Sequence, residues 1–427
     1  MSVDYSFKDI GEGLALCEIT DEKFKSFAVS VKLMLPFDIS RTPLYSLAMD
    51  VLASCSARYP ERDDLSRALT GLYSASLSTN AGMIGNYYTA TMSLNCICDS
   101  YTIGKERVSD KAVDILLGSL YEPLLENGLL SAKYLEQCRA DMLDDIDSVI
   151  SSKMRYAAMR SKKFVFRGEL AEYTKLDERE LVAGCTVEDV TRAYYELLDR
   201  ANILLTVVGG RVDEDLKERI AKKILSYDRH PIKIDTFKAP SPIKPEVCRV
   251  TEEAQLNQCK LLMAYKTESY NEYASKLMCT MLGSTPFSKL FVNVREKLSL
   301  CYYCSSVLTD NRNTMLVNSG LDEDKLALAE EQINAQLAAL ASGDFTDDEM
   351  ENAKLYLADA YLSNLDSKYD IAAWYHYQYI NGTSESPQEK GAIIKTLTRE
   401  DIMKEAAGYR QDTVYVLRPQ KGGAANA

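Results

Sequence analysis

Histidine is nearly absent from these 427 residues, with only His230 and His376 present, widely separated in the chain. Chemistry that depends on a local pair of imidazoles is therefore excluded by composition. No run approaches the roughly 18–20 apolar residues that would span a bilayer. No cluster of Lys and Arg could track a phosphate backbone, and the formal charge is −13. Nucleic acid and anionic membrane are not expected as partners. The opening MSVDYSFKDIGEG lacks a basic stretch followed by an apolar one, so no secretory signal is expected. There is no Walker loop, no GxGxxG and no GxSxG.

What is present suits a multidomain globular protein. Apolar residues make up 46% and charged residues 26%, enough to bury a core without inviting disorder. Eleven cysteines are an odd number for a disulfide framework, and reduced, buried thiols in a cytoplasmic protein are expected. The Cys301-x-x-Cys304 and Cys96-x-Cys98 spacings could mark a metal or redox centre, but both sit in apolar contexts that favour structural thiols. His376 lies in Trp374-Tyr-His-Tyr-Gln-Tyr379, which reads as aromatic packing, and His230 beside Pro231 should face solvent.

The chain contains one unit twice. SDKAVDILLGSLYEPLLENGLLSAKYLEQ, around Asp110, and DEDKLALAEEQINAQLAALASGDFTDDEMENAK, around Asp324, both run Asp-Lys, long helix, glycine turn, second helix. The turn glycines are Gly128 and Gly343. Thr186-Val-Glu-Asp-Val190 recurs as Thr398-Arg-Glu-Asp-Ile402, each a Thr N-cap with acids in the first turn. All three pairs keep one order and an offset of 212 to 215 residues. Four of the 11 prolines fall in 228–245, an extended connector. The expected domains are 1–227 and 246–420, joined by that linker and followed by a flexible tail, 421–427.

Within a copy, Phe27, Val29, Val31, Leu33 and Leu35 alternate with smaller or polar residues, and Tyr88, Ala90, Met92, Leu94 and Cys96 do the same, which predicts strands. Leu44, Leu47, Ala48, Val51 and Leu52 form a helical stripe, with Pro43 suited to its first turn. Leu326, Ala329, Ile333, Leu337 and Leu340 form another. The interleaving lacks a βαβ rhythm, so the fold class is α+β: two homologous domains, each a mixed or antiparallel sheet with helices mainly on one face.

Phe287-Ser-Lys-Leu-Phe-Val-Asn-Val-Arg-Glu-Lys-Leu-Ser-Leu-Cys-Tyr302 is similar to the SRLFxxxREKxGLxY stretch of the pitrilysin/insulinase (M16) peptidases. The Asp324-Lys325 helix, the Gly343–Lys354 turn and helix, Tyr59-Pro60, Ala75–Ala81, Thr186–Val190 and the strand ending Val208-Gly209-Gly210 match that family in type and order. The resemblance covers nearly the whole chain. It implies a clamshell of two domains around a chamber. It also implies an H-x-x-E-H zinc motif on an early helix and a later glutamate as third ligand.

Aligned on Tyr59-Pro60, the five motif positions fall on Ser46-Leu-Ala-Met-Asp50. Ser46 and Asp50 replace the imidazoles, Met49 replaces the catalytic base, and Asp145 stands near the third ligand. A neutral hydroxyl is a poor zinc ligand and a thioether cannot accept a proton from water, so neither metal, cofactor nor catalysis is expected. Arg295 and Tyr302 match the positions from which active relatives reach a substrate; a local ion pair and core packing are the competing readings. Thr79-Asn80-Ala81 resembles the family's substrate-pairing edge strand, and could equally be an ordinary strand end. The resemblance, closest in kind to the inactive member of firmicute two-component pairs, implies a heterodimer with an active H-x-x-E-H homologue, acting on a peptide or protein substrate. A structural scaffold, or a metallopeptidase with unconventional ligands, are the alternatives.

Overall fold

The computed structural model describes residues 4–233, 240–309 and 313–420. The tail 421–427 and part of the linker, 234–239, lie outside them. Strands of the first copy are β1 (Asp4–Gly11), β2 (Leu14–Thr20), β3 (Ser26–Pro36), β4 (Ser76–Ile84), β5 (Tyr87–Ile97), the two-residue β6 (Leu125–Glu126) and β7 (Leu129–Leu130), and β8 (Asn202–Gly209). The second copy contributes β9 (Cys248–Ala254), β10 (Cys259–Lys266), β11 (Tyr303–Leu308), β12 (Thr314–Leu321) and β13 (Arg410–Pro419).

Among the described residues these strands form a sheet ordered β1-β2-β8-β3-β5-β4, another ordered β11-β12-β10-β13-β9, and the β6–β7 hairpin. Read from its other edge, the second sheet runs β9-β13-β10-β12-β11, the order of the first sheet without β1. The ladder types agree as well. β2 pairs with β8 in parallel and β9 with β13 in parallel, while the ladders from β8 to β4 and from β13 to β11 are antiparallel. The fold is thus α+β and duplicated.

The repeated boxes act as the sequence predicts. Thr186 and Thr398 both close capping boxes, with Asp189 and Asp401 accepting from the Thr backbone N–H while each Thr hydroxyl accepts from the Asp N–H. Gly128 and Gly343 both adopt left-handed backbone, φ 82° and 80°; Gly343 ends the helix Leu326–Ser342, whereas Gly128 lies in the turn of the short β6–β7 hairpin that the sequence pattern reads as a bare glycine turn between helices. Pro43 occupies the first turn of the helix Thr42–Ser54.

The described residues divide into two compact units, one of 4–145, 178–233 and 364–384, the other of 146–177, 240–309, 313–363 and 385–420. The sequence pattern puts its only break at the linker; the units also exchange one segment each. In the first unit, helices Thr42–Ser54, Val108–Tyr121 and Val187–Arg200 pack on one face of the sheet, and Lys368–Asn381 lies on the other. In the second, one face of the sheet meets Glu272–Cys279, Leu326–Ser342 and Arg399–Gly408, and Lys153–Val165 covers the other. Lys153–Val165 and Lys368–Asn381 are repeats of each other, so each copy supplies this helix to the sheet of the other copy.

That second layer explains the burial of β3. Its alternation predicts one covered face, yet Ala28 and Met34 are buried as deeply as their neighbours because Ile371 and Tyr375 pack over them. Tyr375 stacks on Tyr5 at 3.9 Å and Tyr379 on Phe7 at 5.0 Å. His376 belongs to this layer: it is buried, shares a hydrogen bond with Thr206, and is held down at a pKa of about 3 by burial, with Lys32 adding repulsion. His230 is exposed beside Asp199, 2.8 Å away. All eleven cysteines are free, ten of them buried and Cys248 half-buried.

Candidate functional site

The helix Thr42–Ser54 begins where Thr42 donates both its N–H and its hydroxyl to the carbonyl of Asp38. It is buried on almost every side, with only Ser46, Asp50 and Ala53 half-buried. Each of the three motif positions is engaged in the fold. The Ser46 hydroxyl lies 2.8 Å from the Tyr88 hydroxyl on β5. The Thr79 hydroxyl on β4 donates to Asp50 Oδ1 at 2.6 Å. Met49, where a base would stand, is only 2% exposed. Tyr88 is itself buried, and desolvation pushes its phenol far above the ordinary range, so it stays a neutral partner for Ser46.

A catalytic zinc needs three protein donors around an open position. Here the donors are a neutral hydroxyl bound to a phenol and a carboxylate bound to a threonine. Asp145, on the helix Ala132–Ser151, is exposed. Among the described residues no group of three His, Cys, Asp or Glu side chains is arranged to hold a metal, so Asp145 does not complete a ligand set with Asp50. The residues do not fit a zinc ion, and no hydrolytic step can be built on them.

β4 is the outermost strand of its sheet. Thr79 turns its side chain to Asp50, while Asn80, Ala81 and Gly82 are exposed, in register with Thr91, Ala90 and Thr89 of β5. The segment is therefore an edge strand, a geometry that can accept an extended chain.

Arg295 and Tyr302 belong to the second unit. Leu290–Lys297 is wound wider than an α-helix, with Leu298 N–H donating five residues back to Asn293 at 3.2 Å. Arg295 is half-buried, its guanidinium 4.5 Å over the Phe291 ring and 3.6 Å from the Glu296 carboxylate. Tyr302 is 54% exposed, its hydroxyl 3.3 Å from Asp322 Oδ1, so it does not pack in the core. Cys301 and Cys304 are buried. Sequence reasoning missed Tyr88: the strand alternation marks it as core, and nothing local says that its hydroxyl meets Ser46.

Residues 184–357 match the family described as "Peptidase M16 inactive domain". The "Probable inactive metalloprotease YmfF" of Bacillus subtilis (strain 168) is 25% identical over 429 residues, spanning 99% of this chain and all of the relative. The fold matches a conserved protein from Enterococcus faecalis V583 with a TM-score of 0.91 at 24% identity, over 98% of this chain and all of the other. It also matches a peptidase M16 inactive domain from Pseudomonas fluorescens, TM-score 0.78 at 16% identity, over 99% and 100%. The chain is similar in sequence and fold to inactive M16 homologues. The helix Thr42–Ser54 gives that likeness a physical basis: Ser46 and Asp50 are spent on hydrogen bonds to Tyr88 and Thr79, and Met49 on core packing.

Proposed function

We propose that this chain is the non-catalytic subunit of an M16 peptidase pair, joining an H-x-x-E-H-bearing partner in the cytoplasm and completing its peptide-binding chamber. The observation that carries the reading is the contrast between the two features on β4's border. The helix positions for metal are closed by Tyr88 and Thr79, yet Asn80 and Ala81 remain exposed on an edge strand. An extended peptide or protein substrate could add to that edge through backbone hydrogen bonds, which needs no chemistry from this chain. Arg295 and Tyr302 are exposed enough to donate to a substrate carbonyl. Among the described residues no helix is long and apolar enough to cross a membrane, which agrees with a partner in solution.

Co-expression with an H-x-x-E-H homologue encoded in the same genome tests this. A complex is expected by size-exclusion chromatography, with peptidase activity that exceeds that of the partner alone. Arg295→Ala and Tyr302→Phe should each lower that activity roughly tenfold, the loss of about one charge-assisted or neutral hydrogen bond in a transition state, and leave the complex assembled. Failure to associate would contradict the pairing. An assembled complex indifferent to both substitutions would make the chain a scaffold instead.

A further inference from the structure

A cavity of about 300 Å³ lies within the first unit, away from the motif helix, where the turn after that helix meets the helices Val108–Tyr121 and Glu214–Leu225. Its walls include Arg58, Arg219 and Lys223, set against Asp114 and Glu122. Arg219 Nη1 lies 3.2 Å from Asp114 and Lys223 Nζ 2.9 Å from Glu122, so both acids are already engaged. Arg58 is the surplus cation: it is exposed, lies 5.5 Å over the Tyr59 ring and meets no carboxylate among the described residues. The Nε–H of Arg219 is buried without an acceptor. The walls carry three cations against two carboxylates, with Asp110 also 3.4 Å from Arg219, and on a chain with a net charge of −13 such a recess can draw an anion.

Gly118 points the same way. It stands inside a helix, where glycine costs about 1 kcal/mol relative to alanine, and a Cβ there would meet no atom within 4 Å. Packing therefore does not demand glycine, and the position opens onto the recess. The helix C-terminus beside it does not oppose an anion strongly, because its last carbonyls are capped. Tyr194 donates to Leu120 O, Tyr227 to Tyr121 O and Ala57 N–H to Glu122 O.

We propose that this cavity binds a small metabolite through an oxyanion, carboxylate or phosphate, held by Arg58 and Arg219 with the Tyr59 ring along its side. Guanidinium groups present planar donors suited to either oxyanion, and the volume accommodates a compact organic anion.

Isothermal titration of the full chain with inorganic phosphate and, separately, with succinate, against sodium chloride at equal ionic strength, tests the proposal and separates the two oxyanions. Saturable heat is expected with at least one of them and none with chloride. Gly118→Leu should fill the recess and abolish that heat while its melting temperature stays at or above that of the wild type. Arg58→Gln, at an exposed position, should weaken binding roughly tenfold, the loss of a charge-assisted hydrogen bond. No saturable heat with either oxyanion, or binding retained in Gly118→Leu, would overturn the assignment.

Discussion

Placing a glutamate at Met49 should damage this protein rather than arm it. Met49 is 2% exposed on a helix buried nearly all round, so Met49→Glu removes an apolar side chain from the core and puts a carboxyl in its place. Losing the buried methionine costs about 1.5–3 kcal/mol, and burying a carboxyl without a designed partner adds about 1–3 kcal/mol. A total of roughly 2.5–6 kcal/mol follows, near the top of the range for single substitutions. The assay is built in: Trp374 is the only tryptophan and sits in the helix Lys368–Asn381, within the same unit as Met49, so its fluorescence during urea unfolding reports on that unit. Met49→Leu keeps the volume and should cost less than about 1.5 kcal/mol. The sign of the pH effect is also fixed. Burial raises the pKa of the introduced carboxyl above its unfolded value, so its penalty is smallest in acid and grows as pH rises through the unfolded pKa, levelling off above the folded one. A Met49→Glu variant within about 1 kcal/mol of wild type at pH 7 would refute the view that the motif helix has become core.

In the second unit, Asp412 is 0% exposed and accepts from Lys244 Nζ at 2.7 Å and Lys244 N–H at 2.9 Å, with the 1%-exposed Lys266 ammonium 3.5 Å away. Asp412→Ala leaves the buried Lys266 and half-buried Lys244 uncompensated and should cost about 3–5 kcal/mol, read as faster hydrogen exchange in β10 and β13. Those donors hold the Asp412 carboxyl below its usual pKa despite burial, so the stabilisation is present above the unfolded pKa and is lost as pH falls through the folded one; the variant's penalty should shrink in strong acid. His376 works in a different window. Its folded pKa of about 3 lies below the ordinary 6.5, so only the unfolded chain takes up a proton between them, and stability should fall as pH drops from 6.5 toward 3. His376→Gln should flatten that slope in the Trp374 unfolding curves, and an unchanged slope would count against a neutral, buried imidazole.

Local signals in the sequence were the reliable ones. Thr186 and Thr398 announce their helices through side chains that bond within the next turn, and Gly343 ends its helix through a backbone region that other residues avoid, so the duplication and its helices are legible from short stretches; the β6–β7 hairpin around Gly128 is not. The exchange of Lys153–Val165 and Lys368–Asn381 was not, because periodicity tells which face of a helix is apolar and not which sheet it will cover. The tie of Lys368 to Ser26 and Asn95 spans most of the chain, and no window of residues contains it. The site divides the same way. That Ser46, Met49 and Asp50 cannot arm a water follows from their chemistry alone. That Tyr88 and Thr79 occupy Ser46 and Asp50 required the strands to be placed beside the helix.

The most direct measurement is the zinc content of the chain purified alone and dialysed against a slight excess of zinc, with Asp50→Ala alongside. A hydroxyl held by Tyr88, a buried thioether and a carboxylate held by Thr79 predict far less than stoichiometric metal, unchanged in the variant, and no turnover of peptides. Stoichiometric zinc that disappears with Asp50, accompanied by peptide hydrolysis from the isolated chain, would contradict the account.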